Sequence, residues 1–301
     1  MTEVTFEGLL RRYGSDLALV IGNGINRHAN AATINSWDDL LIRLARDCVP
    51  GLKAVPPGTA LTEFYDVVEL KLRARVGTLQ NEFCKLMADW HPFQHHETIM
   101  GWAARHRAPI LTTNFDEVLA RAGGCAFQFP KDPSFTAYYP WGCHFGPQLL
   151  NDPCDGFAIW HINGMARYRT SIRLGLSHYM ASVQRARGWL HGRGEESLFA
   201  AKDQQGWRGA KSWMHLVFNK PLLIVGLGLA ENEVFLRWLL IERAKYFSKF
   251  EHRRQPAWYV YVDDPADERQ AGKLFFLESI GIKPVQAQSH AAIYESPAWQ
   301  G

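Results

Sequence analysis

A chain of 301 residues, 47% of them hydrophobic, is long enough to bury one large core or a core with an insertion. Its formal charge of +3 is a weak bias, and its basic stretches RARGWLHGR and EHRRQ follow no groove-reading pattern, so direct nucleic-acid binding is not indicated. The opening MTEVTFEGLL carries acids and no basic region before an apolar run, and the longest apolar run, PLLIVGLGLA, is too short to cross a bilayer, so neither export nor membrane insertion is expected.

Along the chain, short β-rich apolar runs alternate with longer helical stretches, which predicts an α/β fold: a Rossmann-like parallel sheet with helices on both faces. The predicted strands are LALVIG from Leu17, PILTT from Pro109, FAIWHI from Phe157, PLLIVG from Pro221, WYVYV from Trp258 and a short last one near Lys283. After the first of them, Ser36 and Asp39 form an S-x-x-D cap before a helix whose Trp37, Leu40, Leu41, Leu44 and Cys48 follow helical spacing. The Pro/Gly segment VPGLKAVPPG then precedes two amphipathic helices, the second with Leu79, Phe83, Leu86, Met87 and Trp90 on one face. One domain over 1–301 follows, with a core of about 15–50 and 105–290 and a smaller helical insertion of about 50–105. The aromatic, Pro-rich stretch from Phe129 to Gly156 is expected to pack as an ordered loop excursion.

Three strand ends carry the candidate chemistry. The first strand runs into Gly22-Asn23-Gly24, where paired glycines let backbone N–H groups approach a phosphate, although tight turns need the same residues. The dehydrogenase fingerprint is incomplete there, with no third glycine and no acid about 20 residues on, which disfavours hydride transfer. The second strand ends in Thr112-Thr113-Asn114-Phe115-Asp116, which places Asn114 and Asp116 at the carboxyl edge where α/β sheets collect ligands; Asp116 can equally be the cap of the next helix. A later strand ends in Gly226-Leu227-Gly228 before a helix that begins near Glu231.

These motifs together resemble the sirtuin family, and especially its bacterial anti-phage defence branch of NAD-cleaving effectors. GNGIN resembles the family's Gly-x-Gly-Ile cofactor loop, SWDDLL the segment after it, LTTNFD its Thr-x-Asn-x-Asp motif, SIRLGLSHY the stretch after the catalytic histidine, and VGLGLAENE the later loop on the adenosine side. The likeness runs from Leu17 to about Leu240. It implies an NAD glycohydrolase (NADase) that releases nicotinamide and ADP-ribose and depletes NAD in abortive infection. NAD is then the substrate and no metal is needed. In that scheme Asn114 positions the ribose or the attacking water and Asp116 opposes developing positive charge. Gly22, Asn23, Gly24, Ile25 and Asn26, with Thr112 and Thr113, hold the pyrophosphate and ribose, and Gly226, Leu227, Gly228 and Asn232 close on the adenosine half. With no evident sensor domain, the resemblance implies control by a homo-oligomer or by a separate partner such as a ring ATPase or an Argonaute-like protein.

The stretch WHING poses two alignments, because the family places its histidine directly before a glycine at a strand end. Anchoring on Gly164 puts Asn163 at the base position and leaves His161 in support; anchoring on the histidine makes His161 the base. The two positions lie about 6–7 Å apart on one side of a strand and cannot serve the same substrate atom. Defence-branch relatives resemble Trp-His-x-His-Gly here, which favours Asn163 as a replaced base. Asparagine accepts no proton near neutral pH, so this alignment implies a chain that binds NAD and hydrolyses it poorly, either a natural pseudoenzyme or a chain whose base has been replaced. A non-catalytic NAD or ADP-ribose sensor is the alternative.

Lysine deacylation is the weaker reading, because the region after the histidine lacks the paired cysteines that hold the structural zinc of deacylating sirtuins. The five cysteines, Cys48, Cys84, Cys125, Cys143 and Cys154, include no C-x-x-C pair; neither a disulfide framework nor a zinc ribbon is suggested, and a reducing cytoplasm is expected. His91, His95 and His96 in WHPFQHHE lack acidic or cysteine company and are expected on a loop or helix surface.

Overall fold

The computed structural model describes residues 4–28, 36–46, 49–72, 78–130, 141–231 and 233–301. Among these, eight strands form one sheet: β1 (Ala18–Ile21), β2 (Ile110–Thr112), β3 (Ala126–Gln128), β4 (His144–Gly146), β5 (Ile159–His161), β6 (Leu222–Val225), β7 (Ala257–Val262) and β8 (Lys283–Ala287). Their spatial order is β3-β4-β5-β2-β1-β6-β7-β8. All six expected strands are present and pair in parallel. The remaining two, β3 and β4, form an antiparallel edge; β4 lies inside the stretch expected as a loop excursion, of which 131–140 fall outside the described residues. Every residue of β1, β2, β5 and β6 is buried, as strands covered on both faces require.

Counted among the parallel strands alone, the order is 3-2-1-4-5-6, the Rossmann-like arrangement. The chain leaves β1 towards β2 and β5 and returns on its other side with β6. The strand order therefore reverses between β1 and β6, the switch point of the sheet.

The helices follow in chain order. α1 (Phe6–Tyr13) starts where Thr5 Oγ1 accepts from the Gly8 amide at 3.1 Å, and it buries Phe6, Leu9 and Leu10. α2 (Gly24–His28) leaves β1 directly. α3 (Trp37–Ala45) begins at the expected cap, with Ser36 Oγ accepting from Asp39 N at 3.2 Å; Cys48 lies outside the described residues. With α4 (Leu61–Leu72) and α5 (Thr78–Leu86) it builds a second core from Leu40, Leu41, Phe64, Tyr65, Val68, Leu79, Phe83 and Met87, closed by Phe115, Ile172 and Leu174. α6 (Gln94–Arg105) instead buries Ile99, Met100, Trp102 and Ala103 in the main core. The helical cluster thus begins ahead of residue 50 and ends before α6.

α7 (Val118–Ala122), α8 (Leu176–His191), α9 (Trp213–Asn219), α10 (Val234–Lys249), α11 (Gln270–Ser279) and α12 (His290–Tyr294) flank the sheet and add to the main core. Each fully buried large apolar side chain of the two cores contributes about 1.5–3 kcal/mol. Phe115 has a particular place among them, because it follows β2 directly yet packs in the second core, tying the helical cluster to a strand end. No helix among the described residues is long and apolar enough to cross a membrane.

Candidate cofactor site at the strand ends

The loops after β1 and β6 touch. Gly24 N donates to Gly226 O at 2.8 Å and Gly22 N to Val225 O at 3.1 Å. A Cβ on Gly22 would stand 2.5 Å from Gly226 O, and one on Gly24 would stand 2.6 Å from Tyr294 Oη. These are backbone-to-backbone and ring contacts that cannot yield, so both positions require glycine for loop contact alone. The expected aim of the Gly22 and Gly24 amides at an anion is not met, because both donate to β6 and its loop. Gly226 has φ +63, and Gly228 faces open space. Leu227 is buried, and its carbonyl accepts from Tyr259 Oη at 2.9 Å. Asn232 lies outside the described residues.

Asn26 is the hub beneath this contact. Its Nδ2 donates to Asn23 Oδ1 at 2.9 Å and to Asp116 Oδ2 at 3.0 Å, while its Oδ1 receives His96 Nε2 at 3.1 Å. Phe93 N donates to His96 Nδ1 at 3.1 Å, so the His96 proton sits on Nε2 and the ring is neutral. Burial pushes its pKa down to about 3, helped by neighbouring His95. His95 donates Nε2–H to Ile25 O at 2.8 Å, and burial lowers its pKa as well. The surface placement expected for these two histidines is therefore wrong: both are buried against the GNGIN loop, whose carbonyl and amide oxygens supply the acceptors a buried imidazole needs. His91 remains exposed.

Asp116 is buried and does cap the next helix, its Oδ1 accepting from Val118 N at 2.9 Å. Its other oxygen accepts from Asn26, so both carboxylate oxygens are engaged within the fold. Burial raises its pKa, against the hydrogen bonds from Val118 and Asn26.

Asn114 and His161 form a second tie. His161 Nδ1 donates to Asn114 O at 2.7 Å, which leaves Nε2 as a bare acceptor, buried and without a partner among the described residues. Desolvation pushes the His161 pKa down to about 4. Asn114 N donates to Thr112 Oγ1 at 3.1 Å, Thr112 Oγ1 donates to Ile21 O at 2.9 Å, and Asn114 Nδ2 reaches Gly22 O at 3.4 Å. Asn114 Oδ1 has no partner among the described residues.

Between these strand ends and the helical cluster lies a pocket of about 440 Å³, counting its open mouth. Its walls include Thr113, Phe115 and Asn163 from the strand ends, Trp37, Leu41, Leu61, Thr62 and Phe83 from the cluster, and Arg173, Leu174, Tyr179 and Glu233 from later segments. Trp37 stacks on Phe83 at 5.6 Å between ring centroids and meets Phe115 at 5.0 Å, which makes one wall aromatic. Asn163 faces this pocket and His161 does not. The chain turns after Asn163 at Gly164, φ +95, and Asn163 O accepts from Arg173 N at 2.9 Å. The Asn163 side chain is hydrogen-bonded to the carboxyl of Glu233, whose pKa burial pushes up to about 7.

Glu233, Arg173, Tyr179, His95, His96 and Tyr294 were not legible as site residues. Only the adjacency of Glu233 to the Gly226-Leu227-Gly228 turn pointed towards it. A different group, Asp152, Cys154 and His215, brings three ligand atoms within 4.8 Å of one another. The indole of Trp207 can only donate, and it reaches His215 Nδ1 at 3.3 Å, so the His215 proton stands on Nε2, the atom that faces Asp152 and that a metal would need bare. Burial pushes the Cys154 thiol up to about 12, which keeps it protonated.

No protein-family model matches the chain, and no curated protein sequence matches it.

Proposed function

We propose that this chain is a sirtuin-like NAD glycohydrolase. The observation that carries the reading is the pocket that gathers Thr113, Phe115 and Asn163 between the strand ends and the helical cluster, at the carboxyl edge of a sheet whose strand order reverses between β1 and β6. NAD laid along that edge puts its pyrophosphate over the joined glycine loops and its nicotinamide ribosyl end in the pocket. The glycines serve by letting the two loops and Tyr294 pack against one another, and the Asn23–Asn26–Asp116 network fixes the loop they form. The aromatic wall of Trp37, Phe83 and Phe115 suits a planar leaving group.

Cleavage needs few groups, because nicotinamide leaves a cationic ribosyl linkage as a neutral molecule and requires no acid. The tasks left are to hold the ribose, to stabilise oxocarbenium character and to deliver water. Asn163 in the pocket wall and Asn114 at the end of β2, its Oδ1 unpartnered among the described residues, are the polar groups that would position the ribose. His161, turned away and bonded to the Asn114 carbonyl, is a support. Use in anti-phage defence, and control by self-assembly or by a partner chain, follow from the resemblance alone.

A second reading, an NAD or ADP-ribose sensor, is favoured by one observation: the pocket holds Asn163 where an imidazole would be expected. Incubating the purified chain with NAD, with and without an acylated peptide, and resolving the products by chromatography separates the readings. The glycohydrolase releases nicotinamide and ADP-ribose without peptide. The sensor returns NAD intact, and a deacylase consumes it only with peptide.

A further inference from the structure

We propose that Glu233 is the proton acceptor of this site, taking the role that the resemblance would assign to a histidine at position 163. The proposal rests on NAD hydrolysis as the reaction.

Glu233 stands at the first turn of α10, in the N-cap position, yet its side chain makes no capping hydrogen bond. It turns into the pocket instead, where the Asn163 side chain bonds to it. That contact leaves two buried acceptors without a donor among the described residues, Glu233 Oε2 and Asn163 Oδ1. Two free acceptors on hydrogen-bonded neighbouring side chains are the complement of a water molecule, which carries two O–H groups. A water held by both has its lone pair free to face the ribosyl carbon. As the C1′–N bond breaks, its electron pair leaves with nicotinamide, the water oxygen bonds to C1′, and one water proton passes to the Glu233 carboxylate, which returns it to solvent. The other charged or titratable groups in the pocket wall are Arg173 and Tyr179; an Arg side chain accepts no proton, and the Tyr179 hydroxyl is held protonated by burial and by Glu233. Glu233 is thus the one carboxylate among the described residues of the pocket wall.

Nicotinamide release is measured from pH 5.5 to 9 for the wild-type chain, Glu233→Gln, which preserves size and the acceptor for Asn163, and Glu231→Gln, an exposed neighbour paired with Arg269. NAD binding is measured by calorimetry. The wild-type chain is expected to release nicotinamide with a rate that falls as pH drops below about 7. Glu233→Gln should lose about 100-fold or more in rate while binding NAD within a few-fold, and Glu231→Gln should match wild type. Wild-type turnover that persists with the same acid limb in Glu233→Gln overturns the assignment and leaves the NADase reading standing. A wild-type chain that binds NAD without cleaving it also overturns the assignment, in favour of a sensor. A chain that does not bind NAD overturns the functional reading itself.

Discussion

Gly24 N donates to Gly226 O at 2.8 Å, and this bond joins the loops after β1 and β6 where the strand order reverses. Tyr294 Oη seals the contact, lying where Cβ atoms of Gly24 and Gly226 would be. Gly226→Ala therefore meets both a left-handed φ and the Tyr294 ring, and it should destabilise by about 2–4 kcal/mol. Removing the hydroxyl with Tyr294→Phe should recover part of that loss. A double-mutant cycle by urea unfolding checks it, and strict additivity would show that the two side chains do not meet. Gly228→Ala, with open space at its Cβ, is the near-neutral control.

Acid should weaken the fold through its buried histidines. His96 titrates near 3 in the folded chain against about 6.5 unfolded, so below pH 6.5 the unfolded state binds the extra proton. Stability attributable to this ring is complete above pH 6.5 and falls by about 2 kcal/mol by pH 5. His161, depressed to about 4, acts in the same direction. His96→Gln keeps a donor for Asn26 and has no charge to gain, so its stability should differ less between pH 7 and pH 5 than that of wild type. Equal differences in denaturant melts would contradict the buried, neutral His96.

Glu233 works in the opposite sense. Its folded pKa of about 7 lies above the carboxylate value, so it favours the fold at low pH, and that contribution is lost as pH rises through 7. Glu233→Gln should accordingly raise stability at pH 8 by about 1–3 kcal/mol, the gain expected when a functional charge is removed from a buried place. A melting temperature at pH 8 that falls on substitution would mean that the carboxylate is paired structurally.

Phe115 joins the helical cluster to the end of β2, packing against Trp37 and Phe83. Phe115→Ala should cost about 3–5 kcal/mol and open the aromatic wall of the pocket. Hydrogen exchange should show protection lost first in α3 and α5. Uniform loss across the sheet would contradict a separate second core.

The sheet was readable because its parallel strands are continuous apolar runs bounded by glycine or proline, as at Leu222–Val225 before Gly226. β3 and β4 were not, since three-residue strands such as His144–Gly146 carry too little pattern to stand out from an aromatic loop. The strand-end motifs put Asn114, Asp116 and Asn163 just past the carboxyl ends of β2 and β5. What they could not reveal is which side chains face which neighbours. The pair His95-His96 beside Pro92 looks solvated until the GNGIN loop folds over it and supplies acceptors. Glu233 looks like an ordinary acid at a helix start until its carboxyl is seen to turn away from the helix towards Asn163. Neither placement is visible locally, because burial of a polar group depends on partners distant in sequence.

Cleavage of NAD with Asn163 in place is tested by nicotinamide release from the protein as it stands and from Asn163→His, side by side, at equal concentration and without acylated peptide. The expected result is turnover by the unaltered chain, with the histidine version gaining no more than about tenfold. Turnover by the histidine version alone would contradict it, marking Asn163 as a lost base that Glu233 does not replace.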